Sequence, residues 1–378
     1  MSEPIAYPLN IKAAVVREKG GPFLIEDIHL AEPRPHEVLV RIVATGMCHT
    51  DMVVRDQVYP VPQPIVLGHE GAGVIEAVGA EVTGLVPGDH VVLTFLPCGA
   101  CRCCQTAAPA SCEHLNDWNF AGARVDGTHA CCDHDGGVLH DRFFGQSSFA
   151  TYAIADERNV VKVRKDAPLE LLGPLGCGVQ TGAGAVLNAL DVRAGASFAA
   201  FGAGAVGFSA IMAARVAGAT TIIAVDVVPE RLALALELGA THAFNSRECD
   251  VVAEIRALTG GGVDFSLDST GIAAVVRAAF DALRARGTCG IVGASPIGTE
   301  LAFDAVDLMQ SCKRVRGIIE GDSVPAVFIP KLVDLFMQGR FPIDRIVRFY
   351  DFDQMNEAAA DSEHGHTIKP IIRIAQTA

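Results

Sequence analysis

The sequence predicts an α/β protein: a doubly wound parallel sheet set within a chain that begins and ends as a mainly β domain. Three observations carry this. From about residue 196 short apolar strands alternate with helices, the pattern of a parallel sheet covered on both faces. The first ~175 residues run instead as short Val- and Gly-rich segments broken by Gly and Pro, which reads as antiparallel strands and turns. The tail, from about 322, returns to a mixed pattern and closes on KPIIRI. The domains expected are 1–178 and 322–378 for the β domain and 179–321 for the sheet domain.

In the first part, EVLVRIVATG, GAGVIEAVG and DHVVLTF read as strands. In the second, SFAAFG is a buried strand, AVGFSAIMAARVAG a helix and TTIIAVDV the next strand. PERLALALELG is a helix, with Pro229 suited to its first turn and Gly239 to its end. VDFSLDST, IAAVVRAAFDALRARG and TCGIVG continue as strand, helix and strand.

A chain of 378 residues has room for two cores. A net charge of −14 argues against nucleic acid as a partner, because phosphate neutralisation needs Lys and Arg. Two runs, 171–190 and 194–214, carry no charge, which length alone would admit as membrane spans. Glycines interrupt both, and a buried strand, turn and helix explain them better. The start MSEPIAYPLNIK has no basic segment leading into an apolar core, so a cytoplasmic location is expected. The 12 cysteines then read as metal ligands rather than disulfides.

Cys98, Cys101, Cys104 and Cys112 lie in PCGACRCCQTAAPASC with Cys-x2-Cys-x2-Cys-x7-Cys spacing. Four thiolates on one tight loop close a tetrahedron around Zn²⁺ and leave no position for substrate, so this site is expected to be structural. Cys103 lies inside the run but would break the two-residue spacing on both sides. Cys131, Cys132 and His134 are assigned to an ordinary surface lobe, since adjacent cysteines are poorly placed to chelate one ion.

Gly202, Gly204 and Gly207 form G-x-G-x-x-G between an apolar strand and a helix, and Asp226 ends the next strand. Gly202 allows the tight turn, Gly204 the approach of a pyrophosphate, and Gly207 close helix packing. The phosphates would face the helix N-terminus. A carboxylate at Asp226 accepts both ribose hydroxyls and repels a 2′-phosphate, so NAD is favoured over NADP; Arg231 could flank the same ribose.

Outside the cysteine loop, Cys48 in GMCHTD, His69 in GHEGAG and Cys177 in GPLGCGVQTG are metal-ligand candidates. Two thiolates and an imidazole form a catalytic zinc set with an open fourth position.

With GHEGAGVIEAVG, the cysteine loop, GCGVQTGAGAV, FGAGAVG and the terminal KPII in this order, the chain resembles the zinc-dependent, medium-chain alcohol dehydrogenase family. The resemblance implies a GroES-like catalytic domain interrupted by a Rossmann domain, two zinc ions per chain, NAD as cofactor, and a homodimer or homotetramer. It implies Cys48, His69 and Cys177 as catalytic-zinc ligands with Glu70 beside the metal. Asp51 corresponds to the carboxylate that orients the ligand histidine, and Thr181 to a position against the nicotinamide. Val206 and Lys369 join the cofactor-binding set. Thr50 is the first hydroxyl of a proton relay. Members of the liver type carry a relay histidine three residues further on, where this chain has Val53. His49 stands where many members have an arginine near the pyrophosphate, so phosphate contact is its first expected role and relay its second.

The segments GMCHTDMVVRDQVYPVPQP, NDWNFAGARVDGTHACCDHDGG and RFFGQSSFATYA look like the benzyl (aryl) alcohol dehydrogenase branch. Phe143 and Phe144 fall where the family lines its substrate cleft, which would suit an aromatic primary alcohol; plain core packing is the alternative for this pair. A glutathione-dependent formaldehyde dehydrogenase is the nearest rival, and a non-enzymatic zinc-binding protein a more distant one.

Overall fold

A computed structural model describes residues 5–374. The chain divides into two compact units. One takes the chain up to Cys177, with 324–334 and 344 onward; the other takes 178–323 with 335–343.

The first unit holds two sheets. In one, strand Leu9–Val16 lies between Phe23–Leu30 and Ile65–Val66, and Cys131–Cys132 adds to the far edge. The other is built around Glu37–Gly46, which pairs antiparallel with Glu70–Val78, Tyr152–Asp156 and Lys369–Arg373. After its leading Glu the strand Glu37–Gly46 opens with three consecutive apolar residues, Val38, Leu39 and Val40, all fully buried. That fits a strand covered on both faces rather than one that alternates. The returning tail therefore supplies a strand to the sheet that carries GMCHTD and GHEGAG.

The second unit is a six-stranded, all-parallel sheet in the order His242–Asn245, Thr221–Asp226, Ser197–Phe201, Val263–Asp268, Leu283–Ile291, Arg314–Gly317. Order and direction are those of a doubly wound nucleotide-binding sheet. The helix Pro229–Leu238 begins on Pro229 and stops at Gly239, whose φ is +126°.

One element differs from the sequence expectation. The helix expected through LRARG ends at Asp281, and Leu283 already begins the next strand. The helical periodicity runs on through LRAR, but the strand pairing Val263↔Leu283 wins, with a register irregularity before Phe265↔Thr288 and Arg286 at φ +67°. Among the described residues no helix is long and apolar enough to cross a membrane.

Candidate metal centres and nucleotide turn

The short helix His49–Arg55 starts directly after strand Glu37–Gly46, with Cys48 as its N-cap. Asp51, fully buried in its first turn, ties three segments together. One carboxylate oxygen accepts the Cys48 amide at 2.9 Å. The other accepts the Gly68 amide at 3.1 Å and lies 2.9 Å from His69 Nδ1. A carboxylate on Nδ1 fixes the imidazole tautomer and leaves the Nε2 lone pair outward.

His69 Nε2 is buried and has no hydrogen-bond partner. A ligand atom each from His69, Cys48, Glu70 and Cys177 all lie within 4.8 Å of one another. An orphaned, buried imidazole nitrogen facing two thiols is costly in an apolar core and fits a borderline-soft metal such as Zn²⁺. The electrostatics agree. The Cys177 thiol, then the buried Lys369 ammonium, holds the Cys48 thiol well below its ordinary pKa despite desolvation. Burial alone would lower His69, yet Asp51 and Cys48 raise it well above the usual imidazole value; a metal taking Nε2 would displace that proton.

Glu70 and Lys369 form a buried ion pair, Lys369 Nζ lying 2.9 Å from each Glu70 oxygen and 3.2 Å from the Met47 carbonyl. Burial pushes the Glu70 carboxyl up, and Lys369 opposes it. Lys369, expected among cofactor contacts, is thus 2% exposed and engaged by Glu70. Gly46 makes room for that carboxylate: a Cβ there would stand 2.0 Å from Glu70 Oε2. Thr50 Oγ1 lies 3.7 Å from Cys48 Sγ, His49 is exposed, and Val53 is buried.

Phe143 and Phe144 pack on the imidazole itself. Phe144 stacks on His69 at 4.6 Å between centroids and Phe143 meets it edge-on at 5.3 Å. Phe143 is fully buried and Phe144 is 7% exposed. In this unit both therefore pack around the His69 imidazole, and fully buried Phe143 presents no open aromatic slot.

The cysteine loop brings Cys98, Cys101, Cys104 and Cys112 together, with Sγ–Sγ distances of 3.9 Å for Cys98–Cys104 and Cys101–Cys112. Cys103 is not in the cluster. Amides point at the sulfurs: Ala100 and Cys101 N–H donate to Cys98 Sγ, and Cys98 and His114 N–H to Cys112 Sγ. Such donors favour thiolate, and amides of Cys104 and Glu113 bring Cys101 down to about 6, whereas burial pushes the Cys104 and Cys112 thiols up. Four convergent, amide-supported sulfurs fit a closed structural zinc. All 12 cysteines are free of disulfides. Cys131, Cys132 and His134 form no ligand group: Cys131 is buried against Asp141, and His134 stacks on His29.

In the second unit Gly202, at φ +96°, makes the turn out of Ser197–Phe201. A Cβ at Gly207 would meet the Gly202 carbonyl oxygen at 1.8 Å, whereas one at Gly204 would meet nothing within 4 Å. That open space lies at the N-terminus of the helix Ala205–Ala217, where backbone amides could meet a phosphate. Asp226 receives the Ala203 amide at 2.6 Å and the Val227 and Val228 amides at 2.7 and 3.0 Å. It is thereby fixed at the end of its strand, beside the glycine turn. Val206 is half-buried in the helix after the turn, Arg231 half-buried in the next helix, and Thr181 half-buried in the helix Gly178–Gly184.

Three features were missed from sequence: the Glu70–Lys369 pair, the need for Gly46, and Gln146. Gln146 is 2% exposed and bonds to the backbone of His69, Gly71 and Thr94. Only a glutamine amid FFGQSS hinted at it.

Residues 34–165 match the family described as alcohol dehydrogenase GroES-like domain, and residues 205–337 that described as zinc-binding dehydrogenase. A geraniol dehydrogenase of Castellaniella defragrans is 48% identical over 366 residues, 96% of this chain and 98% of that protein. The crystal structure of an alcohol dehydrogenase zinc-binding domain protein from Burkholderia ambifaria is 61% identical, with TM-score 0.96 over 97% of this chain and 100% of that one. The crystal structure of benzyl alcohol dehydrogenase from Acinetobacter calcoaceticus is 53% identical, with TM-score 0.95 over 97% and 100% of the two chains.

Proposed function

We propose a substrate class and residue roles for this chain, which belongs to the zinc- and NAD-dependent, medium-chain alcohol dehydrogenase family. It oxidises a primary alcohol whose carbinol carbon sits beside an aromatic ring or a C=C bond, giving the conjugated aldehyde. The observation that carries the chemistry is the buried cluster of Cys48, His69 and Cys177 around the orphaned His69 Nε2. The substrate class rests on the two named relatives: benzyl alcohol and geraniol are both primary alcohols next to unsaturated carbon.

Bound zinc supplies a Lewis acid that makes an alcohol hydroxyl acidic at neutral pH, and NAD supplies the hydride acceptor. Cys48, His69 and Cys177 would hold the catalytic ion, and Cys98, Cys101, Cys104 and Cys112 the structural one. Asp51 keeps His69 in the tautomer that presents Nε2. Lys369 neutralises Glu70, so that the site's negative charge is not raised by a third anion. Thr50, two residues beyond Cys48, takes the alcohol proton as general base and relay. Val53 offers no acceptor one turn further on, so the proton passes to water. The turn Gly202–Gly207, with Val206, cradles the pyrophosphate, Asp226 receives the ribose hydroxyls and Arg231 flanks them. Thr181 would face the nicotinamide of bound NAD, and exposed His49 would meet its phosphates.

The test is NADH formation from benzyl alcohol, geraniol and ethanol, with formaldehyde plus glutathione as a further arm. The first two should exceed ethanol in kcat/KM by about a hundredfold, the discrimination an apolar pocket affords. Equal use of ethanol, or a dominant glutathione-dependent rate, contradicts the assignment.

A further inference from the structure

We infer that Gln146 is a positioning residue that couples two metal ligands, His69 and Cys177, through one side-chain amide. The inference rests on the reading that these residues hold the catalytic zinc. Strand Glu70–Val78 pairs with His90–Leu93 from Ala72↔Val92 onward. Continued in the same register, Glu70 falls opposite Thr94, and the Gln146 amide bridges the two segments there. Its Nε2 donates to the His69 carbonyl at 2.9 Å and the Thr94 carbonyl at 3.2 Å. Its Oε1 accepts the Gly71 amide at 3.1 Å. Thr94 Oγ1 in turn donates to the Gly176 carbonyl at 2.7 Å, one residue before Cys177. Both amide hydrogens and the oxygen of Gln146 are thus spent between the His69 and Cys177 segments.

The turn that delivers Gln146 is contorted. Arg142, Phe144, Gly145 and Ser147 all have positive φ, at 64°, 51°, 67° and 54°. Left-handed backbone is unfavourable for residues with side chains, and most of all for a bulky aromatic. It persists where surrounding contacts over-determine it, which happens at functional sites. Here the contacts converge on the His69 segment. Phe144 stacks on the imidazole. Ser147 Oγ donates to the Val66 carbonyl at 2.6 Å, and the Ser148 and Phe149 amides donate to Gly68 and Leu67.

The experiment uses the full chain with Co²⁺ in place of catalytic zinc, comparing wild type with Gln146→Leu and Gln146→Glu. Leucine removes all three bonds. Glutamate keeps the acceptor for Gly71 and loses both donors, and it is the fallback if the leucine variant does not fold. The readouts are the visible Co²⁺ spectrum, the release rate of each metal to a chelator, and kcat against the KM for NAD. A positioning role predicts shifted Co²⁺ bands and roughly 10- to 100-fold faster release of the metal held by Cys48, His69 and Cys177. Release from the 98–112 loop should be unchanged, and kcat should fall with the KM for NAD unaltered. An unchanged spectrum and release rate in a folded variant overturns the proposal, as does equal loss of both metals, which would mean general destabilisation. Should Cys177→Ser leave the wild-type Co²⁺ spectrum intact, the metal reading itself fails, and the Gln146 role falls with it by a separable result.

Discussion

Two glycines of the nucleotide turn are predicted to respond in opposite ways to the same added methyl group. At Gly207 a Cβ would stand 1.8 Å from the Gly202 carbonyl oxygen and 2.9 Å from its carbon. Both are backbone atoms of a turn at φ +96°, so no side chain can swing away. Overpacking of this kind costs about 3 kcal/mol or more, which lowers Tm by roughly 6–12 °C for a unit of this size. At Gly204 a Cβ meets nothing within 4 Å, and the backbone, at φ −86° and ψ −171°, is open to any residue. Gly204→Ala should therefore leave Tm unchanged or raise stability by up to about 1 kcal/mol through the unfolded chain. If the space is where pyrophosphate meets backbone, the methyl instead costs NAD binding about 1–3 kcal/mol, or roughly 5- to 150-fold in Kd. Thermal unfolding and NADH fluorescence titration of the two variants separate the effects. A Gly204→Ala protein that binds NADH like the wild type would falsify the assignment of this turn to the cofactor.

Asp226→Ser should weaken NAD and improve NADP relative to it, measured as the ratio of kcat/KM for the two cofactors; an unchanged ratio removes Asp226 as the determinant. Thr50→Val should cut kcat by about 10²–10⁴, the range for a lost proton-transfer group, with metal content intact. His49→Gln should mainly raise the KM for NAD; a slowed hydride step at low pH, restored by imidazole buffer, would make His49 the relay base instead. Glu37 gives a pH prediction. Burial pushes its carboxyl up, but two bonds from Arg124 and the nearby Arg142 hold it below 4.5. A depressed folded pKa means stability that is present above 4.5 and lost as pH falls through the folded value. Glu37→Gln leaves two buried guanidinium groups short of a counter-charge and should cost about 3–5 kcal/mol at pH 7. That gap, followed by denaturant unfolding, should narrow below pH 4.5, and a gap constant down to pH 3 contradicts the pairing.

What the sequence made legible follows from the range of the interactions. The cysteine loop is one chelate within a few turns of chain, so its spacing alone describes it, down to the exclusion of Cys103. The glycine turn is equally local: Gly202 has the left-handed conformation and Gly207 the close packing their positions suggested, and the space over Gly204 is open. The reactive cluster is different. Cys48, His69 and Cys177 lie on separate elements, and nothing in their spacing joins them; the family resemblance named them, and the sheet brings them together. Contacts without any local pattern stayed hidden. Lys369 reaches Glu70 because the tail returns as a neighbour of strand Glu37–Gly46. Gln146 bridges the His69–Gly71 segment and Thr94, whose closeness no sequence pattern reveals. The helix read through LRARG failed because apolar periodicity cannot register a parallel strand pairing at Leu283.

In the proposed function, Cys48, His69 and Cys177 form a metal centre distinct from the cysteine loop, and alcohol oxidation depends on it. Elemental analysis of wild type, Cys177→Ser and Cys104→Ser, run beside NADH formation from benzyl alcohol, tests this most directly. Wild type should hold two zinc ions per chain. Cys177→Ser should hold about one, keep its thermal unfolding transition and lose activity, whereas Cys104→Ser should unfold at lower temperature because structural zinc contributes folding free energy. One zinc per chain in fully active wild type, or a Cys177→Ser protein with two zinc ions and undiminished turnover, would contradict it.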